Sequence, residues 1–237
     1  MSDKKTAIIT GAFGSIGTSL VGGFLKQGFN VVGTSLNSSQ SLSASSTLVL
    51  VDGDITKQET TAKVVDAAIS NFGTVDVLVN NAGIFRKKPF IDFTTEDFNA
   101  LVSINLLGFF NITQLAVRQM LKQRSGSVVT ISASLADQPI AGIDGSVSMM
   151  TKGGLNSITR SLAIEYAKVG IRFNAVAPGA VATPMHGDDP ADALNRSPMG
   201  TFVDVDDIVE AVLYLAQAAQ VTGEVLHVDG GAHAGRW

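Results

Sequence analysis

Cysteine is absent from the 237 residues. Disulfides, thiolate nucleophiles and cysteine-bound metals are therefore excluded. Histidine occurs only at 186, 227 and 233, which is no metal-ligand spacing. Charge is sparse as well. Charged residues make up 16% of the chain, against ~25% in an average domain. The one basic run is Arg86-Lys87-Lys88, and the formal net charge is −4. A nucleic-acid or anionic-membrane binder needs a basic face, so neither partner is expected. No uninterrupted apolar run approaches the ~20 residues of a membrane span. The short apolar stretch after Met1–Lys5 breaks at once into a Gly-rich turn, which argues against a signal peptide. The expected compartment is the cytoplasm. Tyrosine is nearly missing, with Tyr166 and Tyr214 alone.

What is present is apolar and glycine-rich: 45% hydrophobic residues and 24 Gly. A chain this long buries a core without cross-links. Strand-like runs fall at Thr6–Thr10, Asn30–Thr34, Thr47–Val51, Val75–Asn80, Ser127–Ile131, Ile171–Ala177 and Val225–Asp229. Helical spacing separates them. It is carried by Ile16, Leu20 and Phe24, by Val64 to Phe72, over Thr95–Gln123, by Leu155 to Val169, and over Asp206–Gln217. Alternation of this kind predicts an α/β fold, a doubly wound parallel sheet covered on both faces. No linker divides residues 1–237, so a single domain is expected. Ser35–Ser46 holds seven Ser in twelve residues and reads as a solvated connection. The ligand site of such a sheet lies beyond the carboxyl ends of its strands.

Four stretches stand at such ends or near them. Thr10-Gly11-Ala12-Phe13-Gly14-Ser15-Ile16-Gly17 follows the first strand and opens a helix. Its glycines let backbone amides approach a pyrophosphate, and the helix N-terminus adds positive partial charge. Asn80-Asn81-Ala82-Gly83 ends the fourth strand; alone it reads as a turn. Asn174-Ala175-Val176-Ala177-Pro178-Gly179 ends the sixth. Thr151-Lys152-Gly153-Gly154 reads as the start of a helix, where a Lys is poorly placed for the dipole; alone it is as well explained as a surface lysine.

Together the four resemble the short-chain dehydrogenase/reductase family. Asp54-Ile55-Thr56 and the stretch from Thr222 to Gly231 extend the resemblance over nearly the whole chain. The resemblance implies a seven-stranded Rossmann-type domain, usually tetrameric, binding NAD(P). It places the cofactor pyrophosphate on Gly11, Phe13, Gly14, Ser15, Ile16 and Gly17. Asp54 and Ile55 fall to the adenine, and Asn81, Ala82 and Gly83 to the ribose side. Pro178, Gly179, Val181 and Thr183 fall to the nicotinamide. Ser35 takes the position where a carboxylate would select NAD, so NADP is slightly favoured over NAD. The loop at about 184–202 is expected to receive substrate; its Asp188, Asp189 and Asp192 disfavour large anionic ones.

The family's Asn–Ser–Tyr–Lys site transfers incompletely. Asn105 matches the Asn and Lys152 the Lys. The Tyr position, one turn before Lys152, holds Ser148. Tyr166 lies fourteen residues past Lys152, about 21 Å along a helix, and with Tyr214 reads as a core or interface residue. The family's Ser falls on Ala133, leaving Ser132 or Ser134 to orient the oxygen. A hydroxyl such as that of Ser148 is far less acidic than a phenol. Asp144 and His186 are alternative acids; each otherwise reads as a solvated loop residue. The sequence thus predicts an oxidoreductase of a carbonyl or alcohol with an altered proton relay, in which Ser148 or a water it binds passes the proton. The alternative is a non-catalytic NAD(P)-binding protein, a redox sensor or a subunit paired with an active relative.

Overall fold

The computed structural model describes residues 4–36, 42–183 and 197–235. Seven parallel strands form one sheet: β1 (Thr6–Thr10), β2 (Asn30–Ser35), β3 (Leu48–Asp52), β4 (Val77–Asn80), β5 (Gly126–Ile131), β6 (Ile171–Pro178) and β7 (Val225–Val228). Their spatial order is β3-β2-β1-β4-β5-β6-β7. The reversal of winding falls between β1 and β4, where ligands of such sheets bind. The expected fold class is the observed one.

Helices cover both faces. Neighbouring residues of a strand point to opposite faces. In β1, Ala7 and Ile9 therefore join the core under α1 (Ser15–Lys26) and α6 (Val205–Gln217), with Leu20, Phe24, Ile208 and Val212. Ile8 joins the opposite core, under α2 (Gln58–Phe72), α4 (Gly108–Gln123) and α5 (Ser146–Tyr166), with Val64, Ile112 and Phe173. Strands buried on both sides read as unbroken apolar runs, which is why they were legible. Gly23 lets α1 and α6 meet closely: a Cβ there would lie 2.5 Å from Val209 Cγ1.

Several boundaries differ from expectation, three of them for a reason the structure shows. β4 begins at Val77, because the Val75 amide is taken by the Gln123 side chain (3.0 Å) and Asp76 accepts from the Thr6 amide (2.7 Å). The Thr95–Gln123 helix is α3 (Thr95–Val102) and α4 joined through a π turn, Ser103–Leu107. By length and composition this run would suffice to cross a membrane, but half of its apolar stretch is buried inside the fold. Lastly, α5 begins at Ser146. Lys152 therefore stands in its second turn, not its first, and the dipole argument against it lapses.

The amino ends of the strands are tied by side chains. Arg172 donates to Leu215 O (2.7 Å), Ala216 O (2.7 Å) and Val221 O (3.2 Å), closing the end of α6. Gln123 Nε2 donates back to Val75 O at 2.9 Å. Of the Ser-rich connection, residues 37–41 lie outside the described ones.

Candidate active site

A cleft of about 1140 Å³ opens at the carboxyl ends of the strands. Its floor is the Gly-rich turn. Gly11 has φ +64°, and a Cβ there would sit 2.9 Å from Ala82 Cα. A Cβ on Gly17 would fall 2.0 Å from Gly11 O. Both positions thus demand glycine on steric grounds. No side chain caps α1, and its first turn holds no acidic residue. The amides of that turn are left for an anion. The residues therefore fit a dinucleotide pyrophosphate.

The turn is braced from β4. The Thr10 hydroxyl accepts from the amides of Asn81 and Ala82 at 3.0 Å each and donates to Val79 O at 3.3 Å. Asn81 Nδ2 donates to Thr10 O (3.0 Å) and Gly11 O (3.1 Å). Asn81, Ala82 and Gly83 do line the cleft, but the Asn81 amide holds backbone. Sequence reasoning missed Thr10, whose partners lie about seventy positions away. Gly14, Ser15 and Ile16 line the cleft as expected, whereas Phe13 does not. Its ring packs on the core beneath α1 instead.

Ser35, Asp54 and Ile55 line one end, and Pro178, Gly179, Val181 and Thr183 the opposite wall. Asp54 Oδ1 accepts the Thr56 amide at 2.9 Å, which fixes its loop. Ile55 packs against Gly108, where a Cβ would lie 2.6 Å from Ile55 Cδ1. Gly179 is held against Asp229, 2.7 Å from a would-be Cβ.

The inner cleft gathers Ser132, Ser134 and Lys152, with Asn105 buried behind them. Asn105 sits in the π turn, a feature that often marks functional positions. Its Oδ1 accepts the Ile84 amide (2.9 Å); its Nδ2 donates to Ile84 O (3.0 Å) and Thr151 Oγ1 (2.9 Å). Its side chain thus clamps the loop after β4. Lys152 Nζ donates to Ile131 O at 2.8 Å. A Cβ on Gly83 would lie 3.3 Å from that nitrogen and 3.1 Å from Asn105 Oδ1, so both groups face one point. Burial pushes the Lys152 pKa down to about 8. Ser132 Oγ donates to Lys152 O at 3.3 Å. Ser134 lines the same wall.

Ser148 is not brought to this group. It is fully buried and does not line the cleft. Its hydroxyl donates to Arg86 O (3.0 Å) and accepts the Arg86 amide (2.9 Å). Sequence offered no sign of this pairing across 62 positions. Tyr166 rests against Phe173, with ring centroids 5.7 Å apart. Tyr214 is exposed in this chain rather than part of a core. Asp144 is exposed and off the cleft; its carbonyl accepts the Lys88 amide at 2.7 Å. His186 lies outside the described residues, as do Asp188, Asp189 and Asp192. Beyond Lys152 the cleft turns apolar, walled by Ile84, Phe85, Leu135, Ile140, Ile143 and Met149.

Comparison with known proteins agrees with this geometry. Residues 11–233 match the family model described as enoyl-(acyl carrier protein) reductase. A 3-oxoacyl-[acyl-carrier-protein] reductase FabG of Thermotoga maritima is 34% identical over 97% of this chain and 98% of its own. The 2-dehydro-3-deoxy-D-gluconate 5-dehydrogenase of Bacillus subtilis is 35% identical, covering 96% and 94%. Among solved structures, a 3-ketoacyl-(acyl-carrier-protein) reductase from Brucella melitensis complexed with NADH superposes with TM-score 0.91 at 30% identity, covering 97% and 98%. ElxO with NADP bound gives 0.91 at 28%, covering 98% and 100%. The chain belongs to the short-chain dehydrogenase/reductase family. It is an NAD(P)-dependent oxidoreductase of that type.

Proposed function

We propose that the protein interconverts a carbonyl and an alcohol in the cytoplasm, with a proton relay that lacks the family's Tyr. The observation that carries this reading is the convergence of Lys152, Ser132 and Ser134 at the apolar end of a dinucleotide-sized cleft, with Asn105 buried beside Lys152. The bound dinucleotide would supply or accept the hydride. The Gly-rich turn and α1 hold its pyrophosphate, Asp54 and Ile55 the adenine, and Lys152 the nicotinamide ribose. Ser134 orients the substrate oxygen, because the Ser132 hydroxyl is directed to Lys152 O. The wall of Ile84, Phe85 and Met149 excludes water and favours an apolar body.

NADP is favoured over NAD, since Ser35 puts no carboxylate where a 2′-phosphate would lie. An NADH affinity well above that for NADPH overturns this preference. For the reaction itself, both dinucleotides are titrated by calorimetry. Oxidation of the reduced form is then followed over a panel of apolar ketones and aldehydes. Slow but measurable turnover is expected, since loss of a dedicated acid typically costs ~10²–10⁴ in rate. A second reading, a sensor or partner subunit, is favoured by one observation: the Ser148 hydroxyl is fully engaged with Arg86. A silent wild type beside an active Ser148→Tyr would establish that second reading.

A further inference from the structure

We infer that Lys152 itself gives the proton to the substrate oxygen in this site. The inference rests on the carbonyl-reducing reading above and goes beyond it. Three charged side chains line the cleft among the described residues: Asp54, Lys87 and Lys152. Asp54 is at the far end, bonded to the Thr56 amide. Lys87 is exposed at the rim. Lys152 alone stands at the inner end, beside Gly83, Ile131 and Asn105.

The hydroxyls cannot replace it. Ser148 is turned away and doubly engaged with Arg86. Ser132 donates to helix backbone. Ser134 has the acidity of an aliphatic alcohol, and neither tyrosine lines the cleft. An ammonium carries three protons. One is donated to Ile131 O, and two remain for the cleft. Among the described residues the neighbours facing Lys152 are neutral: the Asn105 amide, Gly83, and the Ile131 and Ser132 backbone. With no carboxylate beside it among them, burial disfavours its charged form. That brings its ionisation to about 8, near working pH, where acid catalysis is most effective.

The step balances. The carbonyl carbon takes up hydride from the reduced dinucleotide, and its π pair moves to oxygen. An N–H bond of Lys152 breaks and an O–H bond forms. The alcohol leaves, and the neutral amine regains its proton from solvent. In the reverse direction the neutral amine accepts the alcohol proton.

Two measurements test this. The first needs no dinucleotide: carbon-13 NMR of Lys152 Cε in the free protein, assigned through Lys152→Arg, should titrate near pH 8. The second compares variants. Lys152→Arg keeps a cation for the ribose but does not release a proton near neutrality. It should bind dinucleotide within about threefold of wild type and reduce ketones ~10²–10⁴-fold more slowly. Ser148→Ala should keep the inflection of the pH–rate profile where wild type has it, matching the NMR midpoint. The inference is overturned if Lys152→Arg reduces at the wild-type rate, if Lys152 titrates above 10, or if Ser148→Ala moves the inflection. A wild type that binds dinucleotide yet transfers no hydride to any carbonyl fails the underlying reading as well. Turnover that survives in Lys152→Arg fails the present inference alone.

Discussion

At the scale of single residues, the cleft is made by small side chains and one buried amine. Gly17 illustrates the first. Its Cβ position lies 2.0 Å from Gly11 O, far inside van der Waals contact, so Gly17→Ala must push the turn away from α1. Overpacking of that kind costs ~1–3 kcal/mol. A fall in melting temperature together with at least tenfold weaker dinucleotide binding is expected, read by calorimetry. Lys152 illustrates the second. Its folded pKa is lowered to about 8, below the ordinary ~10.4 of the free side chain. Between these values the unfolded chain binds the proton and the folded chain does not. Stability from this group therefore rises with pH across that window. Lys152→Met should be more stable than wild type at pH 7. The gap should close by about pH 10.5, as urea midpoints across that range will report.

Elements carry the next set of consequences. α3 opens with a capping box between Thr94 and Asp97. Asp97 also pairs with Arg86 and Lys88, so the acid holds the loop after β4 to a helix N-terminus. These partners keep its carboxyl well below the usual carboxylate range, the Lys88 hydrogen bond foremost. The stabilisation is complete above about pH 4 and is lost as pH falls through the lowered folded value. Asp97→Asn should flatten the acid limb of the stability profile, measured by circular dichroism. In the π turn, Asn105→Ala would strand the buried Ile84 amide, at ~1–3 kcal/mol. A drop of several degrees in melting temperature is expected. The strands were legible because burial on both faces leaves an unbroken apolar signature. The π turn was not, since one added residue in a long amphipathic run leaves its spacing almost intact. Asn105 and Lys152 were recognisable as local motifs. Thr10, Arg86 and the buried aim of Ser148 were not, because each depends on a partner that only the fold brings near.

For the whole molecule, binding and association are the relevant quantities. A ligand held only by the folded state stabilises it by ~2.7 kcal/mol at a hundredfold excess over Kd. That amounts to a rise of roughly 5–10 °C for a chain of this size. Thermal shift with NADPH and NADH therefore gives the cofactor preference without any substrate; no shift with either would deny a working cleft. Exposed apolar side chains gather on α3, α4 and α5, among them Phe98, Phe110, Met150, Ile158 and Ile164. We expect these faces to pair subunits into a homotetramer. Light scattering should return fourfold the mass of one chain, and a monomer at micromolar concentration would contradict it.

The ties at the amino ends of the strands have a consequence for how such a chain changes over time. Arg172 and Gln123 lock that end through backbone carbonyls and amides, partners that persist whatever side chains surround them. At the opposite end the loops are held largely through side chains, those of Thr10, Asn81, Asn105 and Asp97 among them. Substitutions there can retune what enters the cleft while the anchored end keeps the chain folding. A scaffold organised this way permits changes of chemistry at its open end that a more evenly stitched molecule would not survive.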